Sequence, residues 1–225
     1  MPDPRPADEM EITVPASPAT PVWAPNPGVP IVARMLAYCF GALVLLTIIA
    51  TVLSTPAPDV PKYPARWSTL HLSAKCAVPY PEGWYTFDLQ PAADSGIDAA
   101  QSIALLPNNK YPVQEYPVRV EALLVEVPAG RKRNDMVQAL NDYVLKMLRQ
   151  RLKTFEMAGD GGASDADADI AFTFTQDKQP MRGEWMIYLH GDAALILVAF
   201  ASPEGWMATQ VILHEMGTGV KWTGG

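Results

Sequence analysis

Three rhythms of apolar and polar residues run along this chain. Met35 to Leu53 is nineteen residues without a charge or a proline. An α-helix needs about 20 apolar residues to cross the ~30 Å hydrocarbon layer of a bilayer, so this run predicts a transmembrane helix. Downstream the pattern becomes that of a folded domain. In Val118 to Val127, Val118, Val120, Ala122 and Leu124 share one face while Arg119 and Glu121 begin the other, which is the period of a strand. From Asp135 to Phe155 the period lengthens. Met136, Leu140, Tyr143, Val144, Met147, Leu148, Leu152 and Phe155 recur at steps of three and four and form one helical stripe, with Asn134 in the N-cap position.

The period of two then returns. Ile170, Phe172 and Phe174 alternate with Ala171, Thr173 and Thr175, and Trp185, Ile187 and Leu189 alternate with Glu184, Met186 and Tyr188. Leu195 to Phe200 is apolar on both faces, which places it at the centre of a sheet. Short loops at Asp177–Pro180 and Gly191–Asp192 make these three strands an antiparallel meander. Ser202–Pro203–Glu204 opens a closing helix with a cap, a proline at the first position and a carboxylate near the positive end. Its expected apolar surface includes Trp206, Val211, Leu213 and Met216. Ahead of the first long strand, Val78 to Trp84 reads as a turn-rich entry and Pro91 to Ala100 as a loop. Trp84–Leu89 and Ser102–Leu106 read as short strands, and Gly159 to Asp169 as an acidic connection.

Composition sets the domain plan. Residues 1–34 hold nine prolines, which remove backbone donors and resist helix and sheet, so this is a disordered proline-rich tail. Residues 35–53 are the membrane helix, and membrane lipid is the partner they imply. Residues 54–70 are a proline-rich spacer, and 71–225 the folded domain. A cleaved secretory signal would start with a short basic stretch. Here the start is long and acidic, and prolines crowd Ser54 to Pro58. Cys39 stands near the start of the apolar run, with most of the run after it, where a lipoprotein box would need the cysteine to follow the run. An uncleaved single-pass anchor is the reading that remains. Arg34 on one side faces Lys62 and Arg66 on the other, a local count favouring a cytoplasmic C-terminus. Long domains translocate regardless of such charges, and the extracytoplasmic placement is the expectation.

The formal net charge is −7, with 17 basic and 24 acidic residues, which speaks against a nucleic-acid partner. Two cysteines, Cys39 and Cys76, provide no disulfide framework.

The order of elements, the P-x-G-W entry at Pro81 to Trp84 and the Ser202-Pro203-Glu204-Gly205-Trp206 helix start resemble the PsbP/Mog1/DcrB-like superfamily over about Val78 to Trp222. The resemblance implies an α+β fold in which an antiparallel sheet is flanked by helices, an α/β/α sandwich. It also implies a binding or assembly role in the cell envelope with a protein partner, not an enzyme.

Candidate chemistry is sparse. Asp165, Asp167 and Asp169 are spaced like the first three ligands of a calcium loop. Such a loop also needs glycine at its sixth place and glutamate at its twelfth, where Ile170 and Gln176 stand. No metal or cofactor is expected, and these three aspartates are the first residues to consider should a metal bind. His71, His190 and His214 are scattered over different elements and read as structural or surface residues. There is no G-x-S-x-G elbow, Walker loop or G-x-G-x-x-G, so no catalytic residue is assigned. Arg131-Lys132-Arg133 precedes a helix N-terminus, where cations are unfavourable, and reads as a solvated loop or a contact for an acidic surface. Trp84, Trp185 and Trp206 read as core. Two functions fit: a membrane-tethered interaction domain, or a small-molecule or metal-binding module using the sheet–helix groove.

Overall fold

The computed structural model describes residues 31–53, 60–90, 99–110, 112, 116–128, 130–161 and 165–223, with side chains at 31, 32, 34, 48–53, 99 and 160 excepted. The tail up to residue 30, the start of the spacer at 54–59, loop residues 91–98 and the glycine-containing stretch 162–164 lie outside them. The chain divides into two compact units, Met1–Pro56 and Ala57–Gly225.

The first unit contains α1, Ile31–Leu53, 23 residues that start four positions before the uncharged run. At 1.5 Å per residue such a helix is about 34 Å long. Its side chains are described at Ala33 and at 35–47, and within the described residues no helix is long and apolar enough to cross a membrane.

The second unit is built on a seven-stranded antiparallel sheet. Its strands are β3 (Tyr85–Asp88), β4 (Ala99–Leu106), β5 (Val118–Glu126), β6 (Glu156–Asp160), β7 (Ala168–Gln176), β8 (Gln179–His190) and β9 (Ala193–Ala201), in the spatial order β3-β4-β5-β9-β8-β7-β6. β9 stands fourth of seven and is buried at every position, as its two-sided apolar pattern predicts. Helix α2 (Arg133–Arg151) covers one face and α3 (Pro203–Thr218) the other. A three-stranded sheet, β1 (Trp67–Leu72), β2 (Cys76–Pro81) and β10 (Lys221–Trp222), packs on the α3 side through Leu72, Cys76 and Val78. The expected antiparallel sheet flanked by helices is therefore present.

Period-two alternation assigns side chains to these layers. Leu123 and Val125 of β5, Trp185 and Ile187 of β8, and Ile196 and Val198 of β9 pack under α2 with Tyr143, Val144 and Met147. Val120, Ala122 and Leu124, with Met186, Leu195 and Leu197, pack under α3 with Ile212, Leu213 and Met216. Burying the last three side chains contributes roughly 5–9 kcal/mol before the entropy of ordering them is subtracted. Val211, expected on that apolar surface, is 48% exposed, because it falls on the outward side of α3.

Helix α2 departs from expectation at both ends. It begins at Arg133 with Lys132 in the cap position, so Asn134 lies inside the first turn and is not the cap. It ends at Arg151, where Leu152 turns extended and Thr154 takes φ 54°. Phe155 leaves the helix and packs against Phe172 at 5.3 Å and Trp185 at 6.5 Å between ring centroids. The stripe's last two apolar residues still reach the same core from outside the helix.

β6 occupies part of the stretch read as a connection, and pairs with β7 around an irregularity between Met157 and Gly159. Val78 to Pro81, read as a turn, belongs to β2 and pairs with Leu70 to Trp67. Prolines are tolerated there because β10 pairs only with Cys76 and Ala77, leaving the other edge at Pro79 and Pro81 without a partner strand. β1 itself begins at Trp67, inside the segment read as spacer.

Candidate functional site

Among the described residues, two clusters of charged side chains are buried in the domain, one on each face of the sheet. Under α2, Glu121 is fully buried and Arg119 nearly so. Arg119 meets the Glu121 carboxylate at 2.8 Å, and Arg151, from the last turn of α2, grips both oxygens at 2.8 and 2.5 Å. Arg119 also lies 4.5 Å above the Phe200 ring, its cross-strand neighbour. Burial alone would push the Glu121 carboxyl up, but the two guanidinium groups outweigh it and hold the carboxyl below its ordinary range. This cluster is a clasp between helix and sheet, closed on itself.

The cluster under α3 has different chemistry. Glu184 of β8 is fully buried and points to α3 because its strand neighbours Gly183 and Trp185 face α2. Nε2 of His214 lies 2.5 Å from Glu184 Oε1, and the Gln210 amide donates to Oε2 at 2.7 Å. Four residues apart on α3, Gln210 and His214 share one helix face and so reach the same carboxylate. Ala171 pairs with Glu184, and Asp169 with Met186, so Asp169 sits diagonally beside Glu184 on the same face. Both Asp169 oxygens are shut off from solvent. Ligating atoms of Asp169, Glu184 and His214 all lie within 4.8 Å of one another.

Backbone close approaches hold this corner together. The Gly161 amide donates to the Asp169 carbonyl at 2.9 Å, and a Cβ at Gly161 would lie 1.8 Å from Asp169 Oδ1. On the helix side, a Cβ at Gly217 would lie 1.9 Å from the Tyr188 hydroxyl. Burial pushes the Tyr188 phenol well up, and Asp169, Asp165 and Glu184 add to it, so it stays neutral and donates to Met186 Sδ at 3.4 Å. An open groove of about 450 Å³ runs past the corner, lined by Gly161, Ala171, Arg182, Glu184, Trp206 and Gln210.

The three aspartates singled out in the sequence do not converge. Asp165 is exposed. Asp167 accepts the Leu189 amide at 2.8 Å and pairs with Arg133 at 2.6 Å, tying the start of α2 to β8. Asp169 alone joins the corner, with partners on β8 and α3. Of the basic run, Arg133 is engaged in that pair, while Arg131 and Lys132 are exposed. His71 is exposed on β1, and His190 stacks on Trp222 at 5.0 Å. Trp185 is core, its indole donating to Asn141 Oδ1 at 2.9 Å. Trp206 is buried, and Trp84 is partly buried against the α3-side core.

Sequence reading missed Glu184, Gln210 and His214 as a group. The available signal was the i, i+4 pair on the closing helix together with a glutamate on the same strand face as Met186.

No protein-family model and no curated protein matches the chain. Solved structures are similar to it. The cyanobacterial PsbP of Synechocystis sp. PCC 6803 is 11% identical, aligned over 75% of this chain and 98% of its own, with a TM-score of 0.45. LpqN of Mycobacterium tuberculosis, involved in cell envelope biogenesis, is 14% identical over 71% and 91%, with a TM-score of 0.42. The Saccharomyces cerevisiae Ran-binding protein Mog1p is 11% identical over 69% and 95%, with a TM-score of 0.45.

Proposed function

We propose that this protein is a membrane-tethered, non-catalytic binding domain of the cell envelope, held to the bilayer by residues 35–53 and carried on the far side of the membrane from the tail. The observation behind the reading is a 23-residue helix that contains the whole uncharged, proline-free run and stands just ahead of the spacer and domain. The lack of nucleophile and phosphate-loop motifs supports a binding role over a catalytic one. The expected partner is a protein, and the acidic balance disfavours nucleic acid.

Fractionation tests the tether. The full chain should sediment with membranes and resist extraction by alkaline carbonate, while release into the soluble fraction would overturn the anchor. Affinity capture with the full chain and with a variant lacking residues 1–34 then locates the contact. A partner kept after the deletion assigns binding to the domain, a partner lost assigns it to the tail, and none in either case removes the interaction reading.

The groove beside Glu184 favours a second reading, in which the domain holds a small ligand between β7, β8 and α3.

A further inference from the structure

The corner beside that groove, which shares Glu184 with it, has the donor set of a metal centre. Two carboxylates on adjacent strands and one imidazole on a helix bring three ligating atoms within 4.8 Å of one another. The corner is poor in water, since both Asp169 oxygens are shut off from solvent and Glu184 is fully buried, so a cation among these donors would be weakly screened.

We propose that Asp169, Glu184 and His214 form a mononuclear site for a divalent transition metal of the Zn²⁺ type. This inference rests on the groove reading above. Zn²⁺ takes imidazole nitrogen and carboxylate oxygen at about 2.0–2.2 Å, which separates neighbouring tetrahedral donors by about 3.3 Å. The present Nε2–Oε1 hydrogen bond of 2.5 Å is shorter than that. The ion enters by replacing this bond, with His214 binding through Nε2 and its proton on Nδ1. Gln210 remains on the far oxygen of Glu184 and fixes the carboxylate's orientation, the outer support that metal ligands commonly carry. One nitrogen and two oxygens suit Zn²⁺ or Mn²⁺ better than Ca²⁺, which takes six to eight oxygens. Three protein donors are one short of a tetrahedral Zn²⁺ shell, so the fourth position falls to water or a small ligand.

The test uses the full chain in detergent micelles, stripped with a chelator and titrated calorimetrically with Zn²⁺. The expected result is one ion per chain and a higher unfolding temperature. His214→Ala and the near-isosteric Asp169→Asn should each weaken binding at least tenfold, while His190→Ala and Asp165→Asn leave it unchanged. Co²⁺ should produce visible ligand-field absorption in the unmodified chain that disappears in Asp169→Asn, which keeps the test decisive even if His214→Ala does not fold. Absence of saturable Zn²⁺ binding, or equal binding by Asp169→Asn, overturns the site. A parallel thermal-shift screen of small ligands on the stripped protein separates the two failures. Ligands that stabilise metal-free protein preserve the groove reading while the metal site falls.

Discussion

At the scale of single residues, the least expected feature is a complete charge cluster inside the α2-side core. Alternation places Arg119 and Glu121 opposite Val118 and Val120, and the structure agrees. What alternation could not reveal is that this second face is also covered, so that Glu121 keeps no solvent contact. Removing one member of a buried ion cluster strands the others, at about 3–5 kcal/mol. Arg151 is one-third exposed and can turn to water, whereas Arg119 cannot. Glu121→Gln should therefore lose about 3 kcal/mol, towards the lower end, measured by urea unfolding at neutral pH. The sign of its pH dependence follows from the lowered carboxyl value. Between the folded and unfolded values the unfolded chain binds more protons, so this contribution is present above about pH 4.3 and lost as pH falls through the folded value. The unmodified domain should show that acid loss of stability, and Glu121→Gln should show a flatter acid limb.

At the scale of elements, the strands that alternate cleanly over many residues were legible, as were the first-position proline of α3 and the place of Ser202 at its N-cap, although the serine side chain makes no cap hydrogen bond. The elements that escaped have physical reasons. β6 is a short edge strand broken by Gly159, β2 carries two prolines, and β10 is two residues long. None has a pattern that a period could expose. Element packing also explains two glycines that sequence alone leaves unassigned. Gly183 lies beneath the Phe172 ring, where a Cβ would meet ring atoms at 2.2–2.7 Å. Gly217 lets α3 pass the Tyr188 hydroxyl. Alanine in a helix interior normally gains about 1 kcal/mol over glycine. Gly217→Ala should instead destabilise the domain by about 1–3 kcal/mol, because overpacking forces Tyr188 aside. Thermal unfolding checks the sign, and a stabilised variant would mean that the contact between Tyr188 and α3 is loose.

At the scale of the whole molecule, the two cysteines report on the two units. Cys76 is buried, and burial pushes its thiol up to about 11 from 9.0. A raised value means that the folded state holds its proton longer, so this contribution to stability is lost as pH rises from about 9 towards 11. Cys39 lies on α1 and is exposed on the chain itself, so a bilayer around α1 would shield it. A water-soluble maleimide applied to intact membranes at neutral pH should label neither cysteine, and after solubilisation in urea it should label both. Labelling of Cys39 in intact membranes would refute the anchor, and fast labelling of Cys76 would refute the folded core around it. By itself the sequence determined the proline-rich leader, the long apolar helix, the antiparallel meander and the two amphipathic helices, because composition and periodicity are local properties. Only the tertiary structure decided the site. Asp169, Glu184 and His214 lie on three elements and up to 45 positions apart. They meet because the β7–β8 register and the seating of α3 bring them to one corner, and no local pattern records a register between distant segments.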